Sequence, residues 1–170
     1  VISPVKERGD TCVFNLNQDI QELVNPIDPF KRNYVVKKQH KKVDKDFSYV
    51  IQENDKVMCI KNNYRVFNTS GAQSAMFNGW TGIVKKIDDD NMIVDFTLGD
   101  CPIIIPLKEV GNYIILGYAS TVHRLQGSSA DVVIGVLNWG CPPNMASKEL
   151  VYTLITRAKK KCILVANTGT

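Results

Sequence analysis

Thr121-Val122-His123-Arg124-Leu125-Gln126-Gly127, followed by Ser128-Ser129-Ala130 and then Asp131-Val132-Val133-Ile134-Gly135-Val136-Leu137, decides the fold class. Thr121–Gln126 could open a helix that Gly127 ends, because glycine accepts backbone conformations other residues avoid. The Val/Ile run over 131–137 suits a strand. On one side lies Tyr113–Ala119, apolar and β-like. On the other, Ser147–Lys159 reads as a helix with Ser147 as N-cap. Glu149 falls in its first turn, and Arg157, Lys159 and Lys160 crowd its last, where cations suit the helix dipole. Cys162–Ala166 reads as a final buried strand. Strand–helix–strand–helix–strand predicts a parallel, doubly wound sheet.

Further upstream the texture changes. Residues 15–24 predict a helix whose apolar face is Leu16, Ile20, Leu23 and Val24, stopped by Asn25-Pro26. Residues 31–46 are strongly charged and read as a connector, either a solvated loop or a basic strip beside a nucleic-acid path. Over 55–107, short β-like runs (Asp55–Lys61, Thr81–Ile87, Asn91–Phe96, Ile103–Leu107) alternate with turns at Asn78-Gly79, Asp89-Asp90-Asn91 and Gly99-Asp100. That spacing predicts a small antiparallel barrel. The expected architecture is one α/β lobe, residues 1–30 plus 111–170, interrupted by a charged connector at 31–50 and a barrel at 51–110.

Composition narrows the classes. Hydrophobic residues make up 44% of the 170, enough for a packed core. The net charge of +4 is a mild basic excess, compatible with nucleic acid. Five scattered cysteines with no C-x-x-C pair, and only His40 and His123 beside them, give no zinc pattern. The expectation is no metal site and reduced thiols in a cytoplasmic protein. No apolar run is long enough to span a membrane. Val1-Ile2-Ser3-Pro4 already reads as a strand entering a turn with no Met before it, as expected for a piece of a longer protein.

Two segments carry a family resemblance. Tyr118–Ser128, with Thr121-Val122-His123 and Gln126-Gly127, resembles motif V of superfamily 1 helicases. Glu149–Lys159, with Tyr152-Thr153-Leu154-Ile155-Thr156-Arg157-Ala158, resembles motif VI. Ile2-Ser3-Pro4 with Leu16-Asn17 and Gln21 through Asn25-Pro26 is similar to the motif IV region of RecD-like members. Asn54–Met58, Asn62-Asn63-Tyr64, Phe77-Asn78-Gly79 and Gly82 are similar to the inserted barrel of that group. The resemblance covers nearly the whole chain in the right order. It implies a RecA-like lobe of the P-loop NTPase type, interrupted by a Src-homology-3-like β-barrel.

The resemblance assigns roles residue by residue. Arg157 matches an arginine finger on the ATP γ-phosphate; a guanidinium keeps its charge and bridges two phosphate oxygens. Gln126, Gly127 and Ser128 match the nucleotide edge. Where many relatives carry Glu, two residues after Gly127, this chain has Ser129. Thr121 and His123 match contacts to single-stranded DNA, since a hydroxyl and an imidazole bond phosphate without reading sequence; as a cap and a packed histidine they would be structural. Ser3, Pro4 and Lys6 are candidates for the same track. In Met76-Phe77-Asn78-Gly79-Trp80 a turn meets aromatic rings that stack on bases or fill a small core, and Asn78 is its candidate DNA contact.

The resemblance thus implies the C-terminal motor lobe of an ATP-dependent DNA helicase moving 5′ to 3′, with a possible protein partner at the barrel. ATP and Mg²⁺ would be held mainly by a first lobe. Nothing here substitutes for that lobe: Gly135 and Gly140 are spaced like phosphate-loop glycines, but Cys141-Pro142 follows in place of Lys and Ser or Thr. Asp88-Asp89-Asp90 sits at an expected hairpin tip, ill placed to hold magnesium. The competing reading is a non-motor module that docks nucleic acid or protein. A metal or covalent-catalysis enzyme has no recognisable nucleophile–base spacing behind it.

Overall fold

The computed structural model describes residues 1–6, 10–39, 46–125, 129–137 and 148–166. In chain order the first half holds β1 (Ile2–Ser3), α1 (Val13–Val24), β2 (Asn33–Gln39), β3 (Asp46–Gln52), β4 (Lys56–Cys59), β5 (Asn63–Asn68), β6 (Gln73–Met76) and β7 (Thr81–Ile87). The second holds β8 (Asn91–Phe96), β9 (Ile103–Pro106), α2 (Leu107–Tyr113), β10 (Ile114–Leu116), β11 (Ser120–Thr121), a 3₁₀ turn (Val122–Leu125), β12 (Ala130–Leu137), α3 (Lys148–Thr156) and β13 (Ala158–Ala166). They form a mixed α/β fold of two compact units, Val1–Ile20 with Tyr118–Thr170, and Gln21–Gly117.

The first unit holds a four-stranded parallel sheet, β11-β1-β12-β13. Connections leave β1 toward β11 and β12 toward β13, in opposite directions, which is the topology of a wound α/β sheet. Ile2, Val122, Val133 and Leu154 form its buried cluster, with Leu137, Leu150, Ala158 and Cys162 packed around them. Burying side chains of this size contributes about 1.5–3 kcal/mol each.

Several boundaries differ from the sequence reading. Tyr113–Ala119 is not one strand: Tyr113 closes α2, and Ile114–Leu116 pairs antiparallel with β4 in the second unit. The passage to the first unit falls at Gly117, not near 111. A Cβ on Gly117 would sit 2.7 Å from the Val57 carbonyl carbon, so only glycine allows that approach. Helix α3 ends at Thr156, so Arg157, Lys159 and Lys160 are not in its last turn. Pairing of Ala158 with Ala130 draws the chain into β13 instead. The segment at 162–166 is not buried: β13 ends the sheet, and Ile163, Leu164 and Val165 are exposed. Ser147, the expected N-cap, lies outside the described residues.

The second unit holds a seven-stranded antiparallel sheet, β10-β4-β7-β8-β9-β5-β6, and a β2–β3 ribbon. Four of these strands sit where turn spacing predicted them. Strands β5 and β6 were missed because Asn, Arg, Gln and Ser dilute their apolar pattern. The sheet is open rather than a closed barrel: β10 and β6 end the ladder without pairing each other among the described residues. Along β8 buried and half-buried residues alternate strictly. In β7 a bulge between Val84 and Lys86 leaves both Lys85 and Lys86 exposed and returns Ile87 to the core. Described residues of the expected connector form strand β2 and most of strand β3. Val35 pairs with Val50 and Val36 with Tyr49, and Val36, Tyr49 and Ile51 are buried. The β-branched and aromatic residues between the lysines make it a strand pair. Burial pushes the Tyr49 phenol well above its ordinary pKa, and its hydroxyl donates to the Ile114 carbonyl at 3.1 Å.

Helix α1 lies where expected, but its buried face is rotated from the predicted stripe, of which Leu16 and Ile20 are only half-buried. Leu23 is 85% exposed and Val24 65%, whereas Val13, Asn17 and Gln21 are buried. Gln21 and Asn25 both donate to the Asp55 carboxylate, the latter at 2.7 Å. The Gln52 backbone N–H adds a third donor at 2.8 Å. The Gln52 side chain, fully buried, donates to the carbonyls of Asn25 and Pro26 and accepts from the Asp28 N–H. These partners outweigh the cost of burying the polar groups. Asp55→Ala strands three buried donors, with a predicted loss of about 2–4 kcal/mol. Leu23→Gln is expected to stay within roughly 0.5 kcal/mol. Urea unfolding checks both, and a larger loss for Leu23→Gln than for Asp55→Ala would contradict this helix orientation.

Candidate functional site

The candidate residues of the first unit distribute over two edges of the parallel sheet. Ser3 and Thr121 are register partners at the C-terminal ends of β1 and β11. Arg157 stands at the N-terminal end of β13, and its carbonyl accepts from the Ala130 N–H at 3.0 Å where β12 begins. Ile2 pairs with Gly135, so the Ser3–Thr121 level lies some six residues along β12 from Ala130. At roughly 3.3 Å per residue the two edges are about 20 Å apart.

At the C-terminal edge, Ser3 is buried, and its hydroxyl donates to the Thr11 carbonyl at 2.7 Å. The same oxygen accepts from the Val5 N–H at 3.3 Å. Ser3 therefore shapes the loop after β1. Pro4 is also buried, and Lys6 is exposed. The carbonyls of Val5 and Lys6 accept from the N–H groups of Val13 and Phe14, tying this loop to the start of α1. In open α/β sheets ligands bind beyond the carboxyl ends of the strands, where connection direction reverses; the loop after β1 occupies that position. Thr121 is half-buried and His123 exposed, on either side of the buried Val122. The Val1 nitrogen donates to the Tyr118 carbonyl at 3.0 Å, and the Ser120 N–H donates to the Val1 carbonyl at 3.0 Å.

Asn17 is a residue that periodicity alone missed. Its amide donates to the Val13 and Ala119 carbonyls at 2.8 and 3.0 Å and accepts from the Ala119 N–H at 2.8 Å. That reciprocal pair fixes the backbone two residues before Thr121. The signal was present as Leu16-Asn17 in the motif IV resemblance.

At the N-terminal edge, Arg157 is half-buried, and its Nη2 lies 3.5 Å from the Thr156 hydroxyl. Gln126, Gly127 and Ser128 lie outside the described residues; Ser129 and Ala130, which follow them, are exposed. Nearby, Lys160 donates to Asp131 at 2.6 Å in an exposed pair. Asn78 belongs to the second unit, exposed on the Phe77–Trp80 turn, with its N–H donating to the Asn62 side-chain oxygen at 2.8 Å. Among the described residues no group of three or more His, Cys, Asp or Glu is placed to hold a metal ion. No helix there is long and apolar enough to cross a membrane.

Comparison with known proteins gives this geometry a family. Residues 116–165, which carry both edges, match the UvrD-like helicase C-terminal domain. Over 162 residues, 95% of the chain, the sequence is 32% identical to the ATP-dependent RecD2 DNA helicase of Deinococcus radiodurans. This chain is a superfamily 1 helicase domain of the UvrD- and RecD-like group. It spans 19% of that relative's length. Among solved structures it resembles the Pif1 helicase of Candida albicans, with a TM-score of 0.60 and 16% identity over 99% of this chain and 45% of that one. It also resembles Bacteroides Pif1 bound to single-stranded DNA, with a TM-score of 0.57 and 17% identity over 98% and 40% of the two chains. Those likenesses are of fold, and the helicase domain shares it across the described residues.

Because Asn17 braces Ala119, Asn17→Ala is expected to cost about 1–3 kcal/mol by leaving buried backbone groups unsatisfied. Amide exchange should rise first at Ala119 and Ser120. Unchanged protection there, with a stability loss spread evenly over the unit, would count against a local brace on the Thr121 strand.

Proposed function

We propose that the chain is the second motor lobe of an ATP-dependent DNA helicase, completing the ATP site from one edge of its parallel sheet and gripping single-stranded DNA from the other. The observation that carries this reading is the meeting of Ala130 with Arg157 and Ala158. It brings the end of the Thr121–Ser129 segment and the one arginine of the 148–166 segment to one sheet edge.

ATP is the substrate there, held mainly by a first lobe. The Arg157 guanidinium neutralises charge on the γ-phosphoryl oxygens as the bond to the β-phosphate breaks and water attacks; such fingers contribute on the order of 10³–10⁵ in rate. Gln126, Gly127 and Ser128 form the adjoining nucleotide contact, with Ser129 giving no carboxylate for the sugar. Mg²⁺ is assigned to the first lobe, which supplies the phosphate loop. At the other edge Thr121 and His123 bond the DNA backbone. Lys6 adds charge to the same track, and Ser3 acts by holding its loop. Closure of the two lobes on ATP shifts the grip along the strand, in the 5′-to-3′ direction of RecD-like motors. The ssDNA-bound Pif1 likeness and the RecD2 relative support a nucleic-acid partner, and nothing in the β12 or β13 geometry favours a purely docking role.

In the full-length protein, Arg157→Ala is expected to lower ATP hydrolysis by at least about 10³-fold while single-strand affinity stays within about twofold (roughly 0.4 kcal/mol). Thr121→Ala with His123→Ala should do the reverse, weakening salt-sensitive DNA binding. ATPase rates and fluorescence anisotropy at two salt concentrations decide it. Equal loss of both activities in Arg157→Ala would sink the assigned division of labour.

A further inference from the structure

The second unit carries a graded aromatic ladder that its core does not require. Phe96 is fully buried, and its ring lies 6.0 Å from Trp80. Trp80, half-buried, lies 5.0 Å from Phe77, and Phe77 meets Tyr64 edge-on at 5.8 Å. Exposure rises along the series to 37% at Phe77 and 61% at Tyr64. The outer two rings are therefore surface, yet they are held in place. The Trp80 N–H donates to the Phe77 carbonyl, closing a turn in which Gly79 has φ +90°. The Gly79 N–H donates to the Cys59 carbonyl, and the Cys59 N–H donates to the Trp80 carbonyl. The Asn62 amide donates to the Tyr64 hydroxyl at 3.2 Å while its oxygen takes the Asn78 N–H. Rings ordered before binding lose little entropy on binding.

Along the chain, the charge beside the outer rings has one sign; on the strand next to β7, Asp95 is paired with Lys85 at 3.4 Å. From Lys56 to Ile87 the sequence has five Lys and Arg and no Asp or Glu. Lys61 and Arg65 lie three residues before and one after Tyr64, and both are exposed, with the Lys61 ammonium 5.8 Å from the Tyr113 ring centroid. Flat aromatic faces among cations fit a partner that presents both π-faces and negative charge along one chain. A proline-rich peptide would use the rings but has no need of the charge.

We propose that Tyr64 and Phe77 are a base-stacking platform for single-stranded nucleic acid, with Lys61 and Arg65 taking the adjacent phosphates. The platform rests on the strand-gripping role proposed above and adds to it: Thr121 and His123 hold the backbone, whereas these rings hold bases. Stacking tolerates any base, since every base has a π-face.

The test compares binding of an oligothymidylate with that of an abasic oligomer of equal length and the same sugar–phosphate backbone, by fluorescence anisotropy on the whole chain. The expected result is about tenfold tighter binding of the oligothymidylate. Phe77→Leu and Tyr64→Leu should each erase most of that preference while leaving abasic binding unchanged. Phe77→Tyr should retain it. Thr121→Ala should weaken both oligomers by one factor. Tyr64→Leu removes an exposed ring and one exposed hydrogen bond from Asn62 but no backbone bond of the turn, so it remains informative if Phe77→Leu disturbs the turn. Equal affinity of the wild-type chain for the two oligomers overturns the platform and leaves the backbone grip standing, as does a preference that survives both leucine variants. Binding of neither oligomer removes the grip and the platform together. Capture of a proline-rich peptide in place of the oligomer, lost in the same variants, also overturns the proposal.

Discussion

Three carboxamides spaced four residues apart, two on α1 and one just past its end, set how this part of the sequence folds. Asn17 and Gln21 occupy positions on α1 where a soluble helix usually buries leucine or valine, and Asn25 continues the same buried spacing just beyond its end. Each finds partners. Asn17 closes a reciprocal pair with Ala119 in the first unit, while Gln21 and Asn25 converge on Asp55 in the second. Asn25 also accepts from the Lys31 ammonium at 2.8 Å. A buried carboxylate with three N–H donors is tolerated because each donor replaces a water. Within the second unit, shifting Gln21 and Asn25 by one position would strand the groups around Asp55. An apolar stripe would slide at far smaller cost. The network therefore fixes register, and hydrophobic burial elsewhere supplies the bulk of the stability.

The same network explains what the sequence revealed and what it concealed. The existence, type and approximate limits of α1, β7, β8, β9 and β12 were legible, because each has a clean apolar period bounded by Gly, Pro or Asn. The face of α1 was not. Leu16, Ile20, Leu23 and Val24 form a good helical stripe, yet Leu23 and Val24 face solvent. Periodicity counts only transfer from water, and it cannot see that an amide four residues away will meet a buried carboxylate from a distant segment. The 31–50 segment was misread for a related reason. Its lysines dominate the composition, while Val36, Tyr49 and Ile51, which bury and pair it, are too few to dominate a window.

Of the candidate site, residue identities were legible through the motif resemblance, and their arrangement was not. Spacing along the chain gave no hint that Thr121 and Arg157 belong to opposite edges of one sheet. That separation follows from strand direction: β11 ends where the 3₁₀ turn begins, whereas β13 begins where α3 ends. Ser3 shows the limit of reading a hydroxyl as a contact. Beside a parallel neighbour and a returning loop, it is committed to Thr11 and Val5.

The two edges nonetheless share one piece of core. Ile2 precedes Ser3, Val122 lies between Thr121 and His123, and Leu154 sits three residues before Arg157; all three belong to the same buried cluster with Val133. Gly135 leaves the room that cluster needs, since a Cβ there would come within 3.1 Å of the Leu154 side chain. Interiors packed at this density respond to displacement by moving as a body rather than by yielding locally. On the proposed motor reading, a pull on Arg157 from bound nucleotide reaches Leu154 through the last turn of α3. Leu154 then bears on Val122, which lies between Thr121 and His123, the residues proposed to hold the DNA. Coupling of chemistry to strand movement would need no long relay under this arrangement, only a cluster of four side chains too tightly packed to absorb the motion.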